Sequence, residues 1–163
     1  MIHHLPLWTL VSLACAGAAQ AQPIVRHPNP PPAIILNGVT IPPGAEILML
    51  SGQLADPIDP ARTDSIEAYG DTRTQTISTF RKIEKALADR GYAMSDVVKL
   101  TVFVVGDPAL GGKMDFAGFN EGYRAFFGTS RNPNLVARST VQVAGLAGPH
   151  YLIEIEAIAA KAR

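Results

Sequence analysis

The chain has 163 residues, of which 47% are hydrophobic and 17% charged. That is enough apolar material for one domain with a real core, and too much for a disordered chain. Its 14 basic and 14 acidic side chains cancel to a formal net charge of zero with no basic block, so no nucleic-acid partner is expected. The histidines at 3, 4, 27 and 150 lack ligand spacing, so no metal site is indicated, and neither a phosphate loop nor a dinucleotide fingerprint is present.

Leu5 to Ala19 is apolar and small and ends in Ala19-Gln20-Ala21, an A-x-A cleavage pattern. Residues 1–21 therefore predict a secretory signal peptide and a periplasmic or secreted protein, with no membrane contact after cleavage. The n-region is unusual in carrying His3 and His4 but no lysine or arginine. The alternatives are a retained anchor, a lipidated Cys15, or a cytoplasmic protein if the segment does not act as a signal. Cleavage after Ala21 leaves no cysteine, hence no disulfide and no thiolate.

Residues 22–32 are proline-rich and predict an extended, polyproline-like lead-in outside the core. The main domain is expected over 33–163. Ala33 to Leu36 predicts a short strand, with a hairpin turn at Asn37-Gly38 and another turn at Pro42-Pro43-Gly44. A second strand covers Glu46 to Leu50, followed by a loop with Pro57 and Pro60. Asp71 is placed to cap a helix that runs to about Arg90, with Ile77, Phe80, Ile83 and Leu87 on one side and Gly91 as its stop. Val97 to Val105 is the most strand-like run. A second helix, from about Asp115 to Phe127, turns Phe116, Phe119, Tyr123 and Phe126 one way. Leu135 to Val143 and Tyr151 to Ala159 are the last two strands.

The order β-β-α-β-α-β-β favours an α+β fold, one sheet with two helices on one face. Strand residues are apolar on both sides, so the second face also needs a cover, and self-association is the simplest one.

Arg138 shares a strand side with Val136, Thr140 and Gln142. It is either an anion clamp, gripping a small carboxylate through two parallel hydrogen bonds, or an exposed arginine on a solvated face. Glu154 and Glu156 share a side of the last strand, and either could hold or activate a water, or merely be solvated. Ser51-Gly52 ends an apolar strand, where glycine admits close approach of a ligand or simply makes a turn. Asn120 on the aromatic helix could orient a ligand or sit at the surface.

Five segments in order give the chain a family likeness: Leu50-Ser51-Gly52-Gln53, Asp96 to Phe103, Asp115 to Phe127, Ala137-Arg138-Ser139-Thr140-Val141, and Ile153 to Ala159. Together they resemble the Rid (reactive intermediate deaminase, YjgF/YER057c) family over nearly all of the chain after the lead-in. The resemblance implies a chorismate-mutase-like (bacillary) α+β fold: a single mixed β-sheet with two helices on one face. It also implies a homotrimer with clefts between subunits and no cofactor. It implies hydrolysis of enamines and imines such as 2-aminoacrylate to 2-keto acids and ammonia. Arg138 would bind the substrate carboxylate and Glu154 would position water. Ser51, Gly52, Asn120 and Thr140 would contact the substrate, and Glu156 would be structural. The chain departs from the pattern in lacking a recognisable I-G-P-Y-S-Q-type segment with its covering tyrosine. Thr140 stands at a position that is cysteine in some members and Val136 at a usual proline, and the loop from Gly106 to Met114 is longer. The alternative function on the same trimer is a non-catalytic binder of small carboxylates or a holdase-like protein. Ribonuclease activity, attributed to some members, fits poorly with neutral charge and export.

Overall fold

The computed structural model describes residues 21–163. The signal reading and Cys15 therefore lie outside the described residues, apart from Ala21. Six strands form one mixed sheet: β1 (Val25–Pro28), β2 (Leu36–Thr40), β3 (Glu46–Leu54), β4 (Val97–Val105), β5 (Ala137–Val143) and β6 (Ile153–Lys161). Their order across the sheet is β1-β2-β5-β4-β6-β3. β5 runs parallel to both β2 and β4, while β6 runs antiparallel to β4 and β3. Among the described residues there are three α-helices: α1 (Ile66–Tyr69), α2 (Thr72–Ala88) and α3 (Phe116–Arg124).

The expected single mixed sheet with helices on one face is the observed one, with differences of detail. First, the proline-rich lead-in, expected to be polyproline-like and outside the core, contributes a strand to the sheet and turns at Pro31 and Pro32. Val25–Pro28 pairs antiparallel with β2, and Arg26 donates to the carbonyls of Ser95, Val97 and Leu135 at 2.8–3.0 Å. Three backbone acceptors on distant segments hold this edge strand, a long-range effect that local proline content does not reveal. Second, the strand expected at Ala33 to Leu36 lies instead at Leu36–Thr40, so Asn37-Gly38 falls inside β2 and makes no hairpin turn; pairing with β1 and β5 overrides the local turn preference. Third, α1 is a single extra turn between the expected loop and the expected first helix.

α2 follows its sequence signals closely. Asp71 caps it by accepting the Thr74 N–H at 2.8 Å, and Gly91 follows its end at φ +75°. Phe80, Ile83 and Leu87 are fully buried. They pack with Phe119, Tyr123 and Phe127 of the α3 region against Leu100, Val102 and Val104 of β4 and Ile153, Ile155 and Ala157 of β6. Each of the valine, leucine, isoleucine and phenylalanine side chains contributes about 1.5–3 kcal/mol of burial. The two long helices touch at Gly122, where a Cβ would stand 2.6 Å from the Thr76 methyl carbon, so the close crossing depends on glycine. The aromatic face of α3 differs from expectation: Phe119 and Tyr123 are buried, Phe126 is half-buried, and Phe116 is 44% exposed.

Helices cover one face of the sheet. The opposite face carries the exposed side chains of Ile47, Met49 and Val141, together with Lys99, Thr101, Phe103, Glu154 and Glu156, which alternate with the buried positions of β4 and β6. Among the described residues no helix is long and apolar enough to cross a membrane.

Candidate functional site

Strand register decides where each candidate side chain points. Arg138 lies beside Leu100, and Thr140 beside Val102, so both belong to the helix-covered face. Arg138 is thus half-buried rather than a solvated strand residue. Its guanidinium carbon lies 4.7 Å from the Phe119 ring centre and 4.6 Å from that of Tyr123. Two ring faces therefore support the cation where water is largely excluded. Tyr123 is itself fixed, its hydroxyl donating to the Ile34 carbonyl at 3.0 Å.

Asn120, one turn before Arg124 on α3, accepts from Arg138 Nη2 at 2.9 Å. The remaining Nε and Nη1 of Arg138 are buried and have no hydrogen-bond partner among the described residues, and the same holds for Thr140 Oγ1. Buried donors without acceptors are costly and uncommon in native proteins. Here they converge on a permanently charged group. Burial pulls the Arg138 guanidinium below its ordinary pKa; Tyr123 opposes this and the Arg124 charge adds to it. The same burial pushes the Tyr123 phenol up, against the pull of Arg138. A carboxylate or similar anion would relieve both the missing hydrogen bonds and the desolvated charge.

Glu154 is built differently. It pairs laterally with Phe103 on β4 and Leu54 on β3, and so belongs to the uncovered face. The β3–β6 ladder bulges between Leu50 and Gln53, where the two residues Ser51 and Gly52 stand opposite the single residue Glu156. The bulge brings the Gly52 backbone under the Glu154 side chain: a Cβ on Gly52 would stand 1.8 Å from Glu154 Oε1. Gly52 is therefore a close-approach glycine, and what approaches it within the chain is the candidate acid–base group. Beside it, Ser51, Glu156, Lys99 and Thr101 line a shallow groove of about 250 Å³. Lys99 also donates to Ser139 Oγ at 2.9 Å.

The sequence candidates thus fall into two half-sites. Arg138, Asn120 and Thr140 meet on the helix side of β5; Glu154, Gly52 and Ser51 meet on the open side of β3 and β6. Within one chain the sheet separates them. The sequence shows Phe119 and Tyr123, the platform of the arginine, only as two aromatics turned one way on the second helix; their i, i+4 spacing on the Asn120 helix is the available signal. No group of three or more histidine, cysteine, aspartate or glutamate side chains among the described residues could hold a metal ion.

The family model described as Endoribonuclease L-PSP matches residues 40–161. The chain belongs to this family, the Rid (YjgF/RutC) family. A RutC family protein of Pyrococcus horikoshii is 39% identical over 70% of this chain and 79% of its own length. One of Haemophilus influenzae is 34% identical over 84% of this chain and 96% of its own. Among solved structures, the Rid family protein YyfB from Yersinia pestis superposes with a TM-score of 0.63 at 27% identity, covering 82% of this chain and 96% of that one. Escherichia coli TdcF, solved with bound serine, gives a TM-score of 0.56 at 29% identity over 74% of this chain and 84% of its own. The Rid match begins at Thr40, inside β2, so β1 and the Arg26 clamp lie before the matched region.

Proposed function

We propose that the protein hydrolyses small enamine and imine intermediates to 2-keto acids and ammonia, in clefts shared between neighbouring subunits of a homotrimer. The enamine tautomerises to an imine whose carboxylate binds Arg138. Glu154 of the adjoining subunit orients a water and takes its proton as oxygen bonds to the imine carbon. Glu154 passes that proton to the former imine nitrogen, the hydroxyl proton of the carbinolamine then moves to the same nitrogen as the C–N bond breaks, and ammonia leaves the 2-keto acid behind. Such intermediates also decay in water, so positioning plus one acid–base group meets the demand.

The observation that carries this reading is the half-buried Arg138, held by Asn120 and two aromatic rings with Nε and Nη1 unbonded. Division of the candidates between two sheet faces supports a shared cleft, and the exposed Ile47, Met49 and Val141 offer surface for the contact. Serine, which TdcF binds, carries the same α-carboxylate and α-nitrogen as the proposed substrate. A nuclease reading has less support: formal net charge is zero, and Arg138 rests on aromatic rings rather than in a basic stripe. The reading also includes export, with residues 1–21 removed and the trimer acting in the periplasm or outside the cell.

The test is release of ammonia and pyruvate from freshly generated 2-iminopropanoate. The wild-type protein should exceed the buffer rate and Arg138→Ala should not. Equal rates for wild type, Arg138→Ala and buffer would reject the deaminase. Arg138-dependent keto-acid binding without turnover would leave the non-catalytic binder.

A further inference from the structure

α3 carries Phe116, Asn120 and Arg124 at successive i, i+4 positions, which form one stripe of the helix. Asn120 in the middle holds Arg138. Phe116 heads the stripe with its ring centre 5.8 Å from the guanidinium carbon. Unlike Phe119 and Tyr123, which are fully buried, it is 44% exposed. Its position is nonetheless fixed. Asp115 caps the helix by accepting the Gly118 N–H at 2.8 Å. Gln142, two positions beyond Thr140 on the Arg138 side of β5, accepts the Met114 N–H at 3.1 Å and donates to the Gly112 carbonyl at 2.9 Å. A ring set in place by a cap and a clamped loop, yet left wet beside the unbonded donors of Arg138, is an apolar wall awaiting a ligand.

We propose that Phe116 is a specificity-determining residue: it packs against the substrate's side chain while Arg138 holds the carboxylate, so the site prefers 2-imino and 2-keto acids with an aromatic or large apolar side chain over those derived from alanine. A ligand with only a methyl group leaves most of the ring in water. An aryl or branched substituent covers it and gains an edge or stacked contact. The inference rests on Arg138 as the carboxylate anchor, and the experiment separates the two ideas.

Calorimetry with pyruvate and with phenylpyruvate on the full chain reads the preference without depending on turnover. Wild type should bind phenylpyruvate about tenfold more tightly than pyruvate, the discrimination that a modest apolar contact supplies. Phe116→Ala should erase the preference, weakening phenylpyruvate far more than pyruvate, and leave the melting temperature nearly unchanged. Phe116→Leu should keep part of the preference. Arg138→Ala should abolish binding of both acids. Equal affinities in wild type, or a preference that survives in Phe116→Ala, would overturn the role of Phe116 while leaving the anchor intact. Binding of neither acid, or binding indifferent to Arg138→Ala, would overturn the anchor and this inference with it.

Discussion

Arg138 and Glu154 stand on opposite faces of one sheet. Arg138 sits beside Leu100 under the helices, whereas Glu154 sits beside Phe103 on the open side. No rotamer change carries either side chain through the backbone ladder between them. A reaction centre that uses both must take one from each of two chains. Arg138→Ala and Glu154→Gln should therefore each abolish imine hydrolysis, but restore it when the two inactive proteins are unfolded together in equal amounts and refolded. About a quarter of the shared clefts would then join an intact arginine to an intact glutamate. Refolding each variant alone is the control, and a mixture as inactive as the two parents would exclude the shared cleft.

Gly52 offers a separate probe of Glu154. In Gly52→Ala the new methyl would meet Glu154 Oε1 at 1.8 Å, and the side chain's Cγ at 2.9 Å. The carboxylate is the far end of a flexible side chain on an open face, so it swings aside at little cost. Stability should change by less than about 1 kcal/mol, while turnover falls nearly as far as in Glu154→Gln. Urea melts paired with imine kinetics check this; retained activity would mean that the carboxylate position against Gly52 is irrelevant to catalysis.

Much of this arrangement was legible in the chain, because local rules agreed with the fold. Asp71 and Gly91 bracketed α2, and the run from Val97 to Val105 is β4 residue for residue. Alternation also put Arg138 and Thr140 on one side of their strand. What alternation cannot tell is which side the helices cover, because a two-residue period is symmetric about the sheet. That took the register of Arg138 against Leu100. The Asn120 partnership and the unbonded Nε and Nη1 of Arg138 depend on segments 18 residues apart and on burial. Asn37-Gly38 misled for a related reason: its turn preference is local, whereas β1 is held by Arg26 on acceptors 69 to 109 residues away.

Gln75 joins α2 to the approach of β6. It is fully buried, donating to the Gly70 and His150 carbonyls at 3.0 and 3.1 Å and accepting the Leu152 N–H at 2.9 Å. Gln75→Leu keeps the bulk but strips three backbone groups of their partner. A buried group left unpaired costs about 1–3 kcal/mol, and water entry offsets part of the sum. Urea unfolding should show a loss of about 2–4 kcal/mol. A loss below about 1 kcal/mol would show that these backbone groups find other partners.

Asp71 links stability to pH through its cap. Hydrogen bonds from the Thr74 side chain and backbone N–H hold the Asp71 carboxyl below its ordinary pKa. A lowered folded-state pKa means that folding favours the ionised form. The contribution is therefore complete above the ordinary value of about 3.9 and is lost as pH falls through the lower value in the folded protein. Asp71→Ala should cost about 1 kcal/mol at neutral pH. The gap between wild type and variant should close as the pH is taken below the folded-state value. Asp71→Asn keeps a side-chain oxygen for the Thr74 N–H without the charge, so it should retain most of the neutral-pH stability. Chemical denaturation of the three proteins over an acid series would show this. A gap between wild type and Asp71→Ala that persisted unchanged into strong acid would mean that the ionised carboxylate is not what stabilises the start of α2.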